Sequence, residues 1–276
     1  MRYALQVQYI GKNYAGSQIQ FENGVEIETP TIQGELEKAI STLIFGDTEN
    51  KNRQVKTIFS GRTDRGVNSQ GQVAHFDTDK SIVASKFVYQ LNEILPKEIS
   101  VSDLTEVDGR FHAQKSAKRR FYRFVFINRK CKNAFDGDLM RVKFPINIER
   151  MQKALNYILG EHDFTSFKSS GTLNPSKVCF IEKADCRKVG DKVIIDIVGN
   201  RFLYNMVRTI VGTLLEIEGH NLPAERMEQV LIDVYKRQGD NRGNSFDGRW
   251  WGFLPEDRFI GRAVVLFWPL NRIKGL

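Results

Sequence analysis

The chain has 276 residues, 41% hydrophobic and 27% charged, with a formal net charge of +8. These proportions belong to a globular protein with one large core or two medium ones, and no apolar run reaches the roughly 18 residues a membrane span needs. The basic balance suits a polyanionic partner, nucleic acid first.

Residues 2–9 (RYALQVQY) alternate, with Tyr3, Leu5, Val7 and Tyr9 on one face, which predicts a half-buried strand. No secretory signal pattern precedes it. After a glycine-punctuated loop, Thr31 opens a helix in which Ile32, Leu36, Ile40 and Leu43 recur at helical spacing. Strand-like runs near 54–60 and 71–76 flank the loop GRTDRGVNS. A helix near 85–95 ends before Pro96, and a strand follows near 99–107. The order is β-α-β-β-α-β, the split pattern of ferredoxin-like domains. The order then begins again. A strand is predicted over 118–127, a helix over 148–159, and strands near 178–188 and 192–198 with Gly190 and Asp191 at their turn. A long helix near 201–218 carries Leu203, Val207, Ile210, Leu214 and Ile217 in steps of four and three, and a further helix runs from Pro223 to about Tyr235. A closing strand for this second half is not evident where it is due. The chain therefore reads as α+β, with an N-terminal half over 1–108 and a C-terminal half over 109–236.

Three segments could carry chemistry. In Gly61-Arg62-Thr63-Asp64-Arg65-Gly66-Val67 a carboxylate stands between arginines, and neighbouring positive charge keeps a carboxylate ionised. That suits a nucleophile or a base; the alternative is a charged β-turn with local ion pairs. In Lys118-Arg119-Arg120-Phe121-Tyr122-Arg123-Phe124, strand alternation places Arg120, Tyr122, Phe124 and Phe126 on one face. Basic and aromatic residues interleaved in this way could hold phosphates and stack on bases, or the segment could be a core strand with its arginines at a solvated rim. Arg208 falls in an apolar helix, where a guanidinium either has a carboxylate partner or snorkels outward. His75, His112, His162 and His220 show no zinc spacing, and Cys131, Cys179 and Cys186 show neither metal spacing nor an even-numbered framework. These cysteines fit a reduced, cytoplasmic protein.

Taken together, GRTDRGVNSQGQVAHF, YIGKNYAGSQIQ, FHAQKSAKRRFYRF, GEHDFTSF and NRFLYNMVRTIVGTLLEIEG resemble, in order, the motifs of the tRNA pseudouridine synthase A family, from residue 1 to about 234. The resemblance implies two ferredoxin-like (RRM-like) halves forming one antiparallel sheet, with helices on one face and a basic cleft between the halves. It implies a homodimer that isomerises uridine to pseudouridine at positions 38 to 40 of the tRNA anticodon stem-loop, with no cofactor and no metal. Asp64 matches the catalytic aspartate, Tyr122 the tyrosine that packs on the target uracil, and Arg62 the arginine that fills the space of the flipped base. Arg208 matches the basic residue that pairs with the aspartate, while Lys118, Arg119, Arg120 and Arg123 are expected on the RNA backbone. Three positions depart from the pattern. Ser17 stands for an aromatic residue, Arg65 for a small one and Asn68 for a histidine, and the first is expected to weaken packing of the N-terminal loop. A binding-only RNA module is the alternative function, opposed by the intact Asp64, Tyr122 and Arg208.

From Gly239 the character changes. Residues 239–276 resemble the C-terminal segment of bacterial type I signal peptidases, of form GDNR-x-x-S-x-D-x-R-x-W-G. The serine nucleophile, lysine base and membrane anchor of that family are not found upstream, so peptidase chemistry is not expected. The segment reads as a foreign tail joined to the synthase.

Overall fold

A computed structural model describes residues 1–22, 24–46, 54–169 and 176–232. The tail 239–276 and the end of the helix expected to reach residue 235 lie outside the described residues. Among the described residues the chain forms two compact units, Met1–Lys118 and 119–232. The first runs past residue 108 because the segment after its last strand stays tied to it. Arg2 Nη1 donates to the carbonyls of Gly109 and Phe111 at 2.7 Å, and the amide of Ala113 donates to His75 Nδ1 at 3.2 Å.

In the first unit the elements follow the predicted order: strand Arg2–Tyr9, helix Ile32–Phe45, strands Thr57–Phe59 and Ser69–Asp77, helix Ala84–Ile94, strand Ile99–Val107. The strands form one antiparallel sheet in the spatial order 57–59, 69–77, 2–9, 99–107. Local chemistry sets the first helix. Thr31 Oγ1 accepts from the amide of Gly34 at 3.1 Å, and Gly46, at a φ of 79°, closes the end in the left-handed conformation that glycine adopts without a Cβ clash. Leu5, Val7, Ile32, Leu36, Ile40 and Leu91 are buried in its core, each worth about 1.5–3 kcal/mol relative to exposure.

The second unit holds strands Arg120–Asn128, Arg141–Val142, Gly160–Asp163, Val178–Val189 and Lys192–Gly199, with helices Ile148–Asn156, Met206–Gly219 and Arg226–Ile232. Their spatial order is 141–142, 120–128, 192–199, 178–189, 160–163. Arg141–Val142 runs parallel to Ile127–Asn128, so this sheet is mixed and not purely antiparallel. The described strands pair into a four-stranded sheet, a five-stranded sheet and a two-stranded one of Phe21–Glu22 with Val25–Glu26. Val189 faces Lys192 across the predicted turn, with Gly190 at a φ of 58°. The long helix starts at Met206 and not at 201, because Asn205 takes a left-handed conformation with a φ of 59°. No strand follows that helix among the described residues.

Candidate functional site

The loop that carries Asp64 joins strands Thr57–Phe59 and Ser69–Asp77, and Thr63 is its anchor. Thr63 is buried, with hydrogen bonds in three directions. Its amide donates to Ser17 Oγ at 2.8 Å, its carbonyl accepts from the amide of Ser17 at 3.0 Å, and its Oγ1 lies 2.7 Å from Tyr9 Oη. Gln72, also buried, donates from Nε2 to Tyr9 Oη at 3.1 Å. The approach of the N-terminal loop needs glycine. Gly16 has a φ of 141°, and a Cβ there would lie 2.9 Å from the Thr63 carbonyl oxygen; one on Gly11 would lie 2.1 Å from that of Val67. The turn itself closes through the Val67 amide, which donates to the Asp64 carbonyl at 3.2 Å, with Gly66 at a φ of 77°.

Pinned on both sides, the loop holds Asp64 half-buried between exposed Arg62 and Arg65. Arg62 also lines a recess of about 120 Å³ with Ser17, Gln18, Phe59 and Gln114. Two departures from the motif take part in this stitching. The Ser17 hydroxyl is the acceptor that holds Thr63, and Asn68 Oδ1 accepts from the Gly11 amide at 2.8 Å. Ser17 is 1% exposed, so the expected weakening is answered by a direct hydrogen bond to the neighbouring loop. The alternation of 2–9 buries Tyr9 but does not name its partner, and the sequence carries no comparable signal for Gln72 or for the anchoring role of Thr63 within the loop motif.

In the second unit, Arg120, Tyr122 and Arg123 lie at the start of strand Arg120–Asn128, and Arg119 immediately precedes it. Phe124 and Phe126 are buried in the core, so the face they share with Tyr122 is a core face over most of its length. Only its beginning, Arg120 and Tyr122, is partly open. Tyr122 is held edge-on by Phe202, with ring centroids 4.7 Å apart. Arg120 Nη1 donates to the Asn200 carbonyl at 2.5 Å, and burial pulls its guanidinium below the ordinary value. Lys118 is exposed, in the first unit, and Arg119 pairs with Glu182 at 2.6 Å.

Arg123 has an internal partner. Its guanidinium makes two hydrogen bonds to Asp196, at 2.7 and 2.9 Å, and Arg187 adds a third at 2.6 Å. Burial alone would push the Asp196 carboxyl up; the hydrogen bonds from Arg123 and Arg187 outweigh it and hold Asp196 below the usual carboxylate range. The same bond raises Arg123. Arg208, in the first turn of Met206–Gly219, is half-buried rather than fully enclosed, and its Nη1 donates to Asn205 Oδ1 at 3.4 Å. Asp64, Arg62 and Lys118 thus belong to the first unit, and Arg119, Arg120, Tyr122, Arg123 and Arg208 to the second. Among the described residues, no group of three or more His, Cys, Asp or Glu side chains could hold a metal ion, and no helix is long and apolar enough to cross a membrane.

The profile of a family described as tRNA pseudouridine synthase matches residues 154–243. The chain is 39% identical over 222 residues to tRNA pseudouridine synthase A of Brevibacillus brevis, covering 80% of this chain and 86% of that one. It is 41% identical over 213 residues to the protein of the same name from a Thermoanaerobacter species, covering 75% and 80%. With the Colwellia psychrerythraea protein of that name the identity is 36% over 233 residues, covering 84% and 85%.

Proposed function

The chain belongs to the tRNA pseudouridine synthase A family, and we propose that it isomerises uridine to pseudouridine at positions 38 to 40 of the tRNA anticodon stem-loop, with Asp64 as the catalytic carboxylate. The observation that carries the reading is the anchoring of the Asp64 loop through Thr63 to Ser17 and Tyr9. A carboxylate acting on a bound nucleoside must sit within a fraction of an ångström of its working position, and buried hydrogen bonds on the adjacent residue supply that constraint.

The reaction breaks the C1′–N1 bond, turns the uracil, and forms a C1′–C5 bond. The C5 proton leaves and N1 gains one, so the product is an isomer and no electrons are exchanged. An ionised Asp64 serves either of two routes, attack on C1′ or removal of the C2′ proton. In this reading Tyr122, steadied by Phe202, packs on the target base, and Arg62 fills the place the base leaves. Extrusion costs a few kcal/mol of unstacking, offset by stacking and phosphate contacts. Arg208 is proposed as the cation that balances Asp64, while Lys118, Arg119 and Arg120 contribute to phosphate binding. Each unit is read as a ferredoxin-like half, the active species as a cytoplasmic homodimer, and residues 239–276 as a foreign tail.

Asp64→Asn tests the assignment. The amide keeps the shape of the side chain but is neither a nucleophile nor a base. Pseudouridine mapped by mass spectrometry in the anticodon stem-loop is expected to fall to background, with tRNA binding retained. Substantial turnover by the variant would remove Asp64 from its role, and binding without turnover by the parent chain would leave an RNA-binding module.

A further inference from the structure

The second unit presents an aromatic ring that its own fold does not use. Phe135 is 97% exposed. A single exposed apolar residue needs no explanation by itself; here, however, the backbone beneath it is fixed. Asn133 and Asp136 form a reciprocal capping box around the short turn Ala134–Asp136, with the Asn133 amide 3.0 Å from Asp136 Oδ2 and the Phe135 amide 3.0 Å from Asn133 Oδ1. Arg129 then ties the turn to the sheet. It bonds to Asp136, to the Cys131 carbonyl at 2.9 Å, and to Asp191, at the hairpin turn, at 3.0 Å. A clamped aromatic binds without the ordering cost that a floppy one incurs.

The surroundings of the ring define its partner. Lys130 and Lys132 are exposed on the same loop, and Lys188 and Lys192 on the hairpin that Arg129 reaches. The carboxylates of Asp136 and Asp191 are both engaged by Arg129. The loop and hairpin together carry the exposed Phe135 ring, exposed Lys130, Lys132, Lys188 and Lys192, and one further exposed carboxylate, Asp138, a net positive set of the kind that stacks on a base while holding phosphates. A second copy of the chain fits poorly, because it would set these lysines against their own kind on a protein of net charge +8.

Position along the strand makes the inference specific. Tyr122 is near the start of Arg120–Asn128, and the Phe135 loop leaves from its end. Six residues of strand separate Tyr122 from Asn128, about 20 Å. A nucleotide on Phe135 is therefore not the target uridine or its immediate neighbour. We infer that Phe135, with Lys130 and Lys132, forms a second RNA-binding site that engages tRNA away from the target uridine and its immediate neighbours. The choice of tRNA as its ligand rests on the proposed function.

The test compares the full chain with Phe135→Ala, Phe135→Trp and Lys130→Ala/Lys132→Ala on full-length tRNA, by binding, kcat and hydroxyl-radical footprinting. Phe135→Ala is expected to weaken binding about five- to tenfold, the loss of one stacked base, with kcat at saturation unchanged. Phe135→Trp should restore binding. Protection should be lost only at nucleotides other than the target uridine and its immediate neighbours. Unchanged binding, or protection lost at the target uridine or its immediate neighbours, overturns the inference. So does a fall in sedimenting mass, which would make the loop a contact between copies. If the parent chain binds tRNA but forms no pseudouridine, the proposed function fails while the binding and footprint arms still decide this site.

Discussion

Tyr9 Oη and Thr63 Oγ1 lie 2.7 Å apart in the buried space beneath the Asp64 loop, joining residues 54 positions apart in sequence. Tyr9 is 3% exposed and Thr63 6%, so neither hydroxyl can exchange this partner freely for water. Tyr9→Phe keeps the ring and removes the bond. It is expected to cost about 1 kcal/mol of stability and to lower kcat several-fold while the Kd for tRNA stays level. The check is a denaturant titration beside single-turnover kinetics. A variant that loses stability and keeps its full kcat would make the bond purely structural.

Arg123 and Lys118 should part company on mutation, although both were expected on the RNA backbone. Lys118 is exposed, whereas Arg123 is held by Asp196 through two bonds and shares that carboxylate with Arg187. Lys118→Ala is expected to reduce the salt dependence of tRNA binding by close to one counterion, with stability unchanged. Arg123→Ala should lower stability by about 1 kcal/mol, since Asp196 keeps one arginine and solvent screens the partly open pair. Its salt slope should match the parent's. A reduced slope for Arg123→Ala would return it to the phosphate-binding set.

What the sequence disclosed follows from the range of the forces involved. The helix at Ile32–Phe45 was legible because Thr31 and the apolar stripe are local signals. Strand Gly160–Asp163 was not, because GEHD has neither β-branched residues nor alternation and exists by pairing with 178–181. The helix at Met206 was placed five residues early: Leu203 continues the stripe, but Asn205 in a left-handed conformation stops the hydrogen-bond ladder before it. Alternation put Arg123 on the correct face of its strand, yet its partner depends on a register that sets it opposite Asp196, far along the chain. The Asp64 loop was conspicuous by composition and by resemblance. The residues that hold it, Ser17, Tyr9 and Gln72, reach it only through tertiary contacts.

Acid should destabilise the first unit through His75. Its ring is 2% exposed, its Nδ1 accepts from the Ala113 amide, and His112, Arg2 and Asp77 surround it. Burial pulls its pKa down to about 4, with the charges of Arg2 and His112 adding to the effect. An unfolded histidine titrates near 6.5, so between about 6.5 and about 4 the unfolded chain binds the extra proton. Stability is therefore intact above the unfolded value and lost as pH falls towards the folded one, by about 3 kcal/mol in all. Asp77, lowered chiefly by its hydrogen bond to Arg2, adds a loss at still lower pH. Against His75→Gln, the parent should show the steeper decline between pH 6.5 and 4. Parallel curves would contradict the assignment.

The tail can be tested by two truncations, because two observations set different limits for it. The resemblance to signal peptidases begins at Gly239, whereas the synthase profile extends to residue 243. The aligned stretches of 222, 213 and 233 residues all leave more than 40 of the 276 residues unmatched. Deleting 244–276 removes only residues beyond both the profile and the first five positions of the tail. Deleting 239–276 removes those five as well. If the whole segment is foreign, both shortened chains should unfold at the parent's temperature and form pseudouridine at its rate. If 239–243 continue the synthase, only the longer deletion should lower the unfolding temperature. Severe destabilisation by both would mean that the tail packs as part of the enzyme, and the fusion reading would fall.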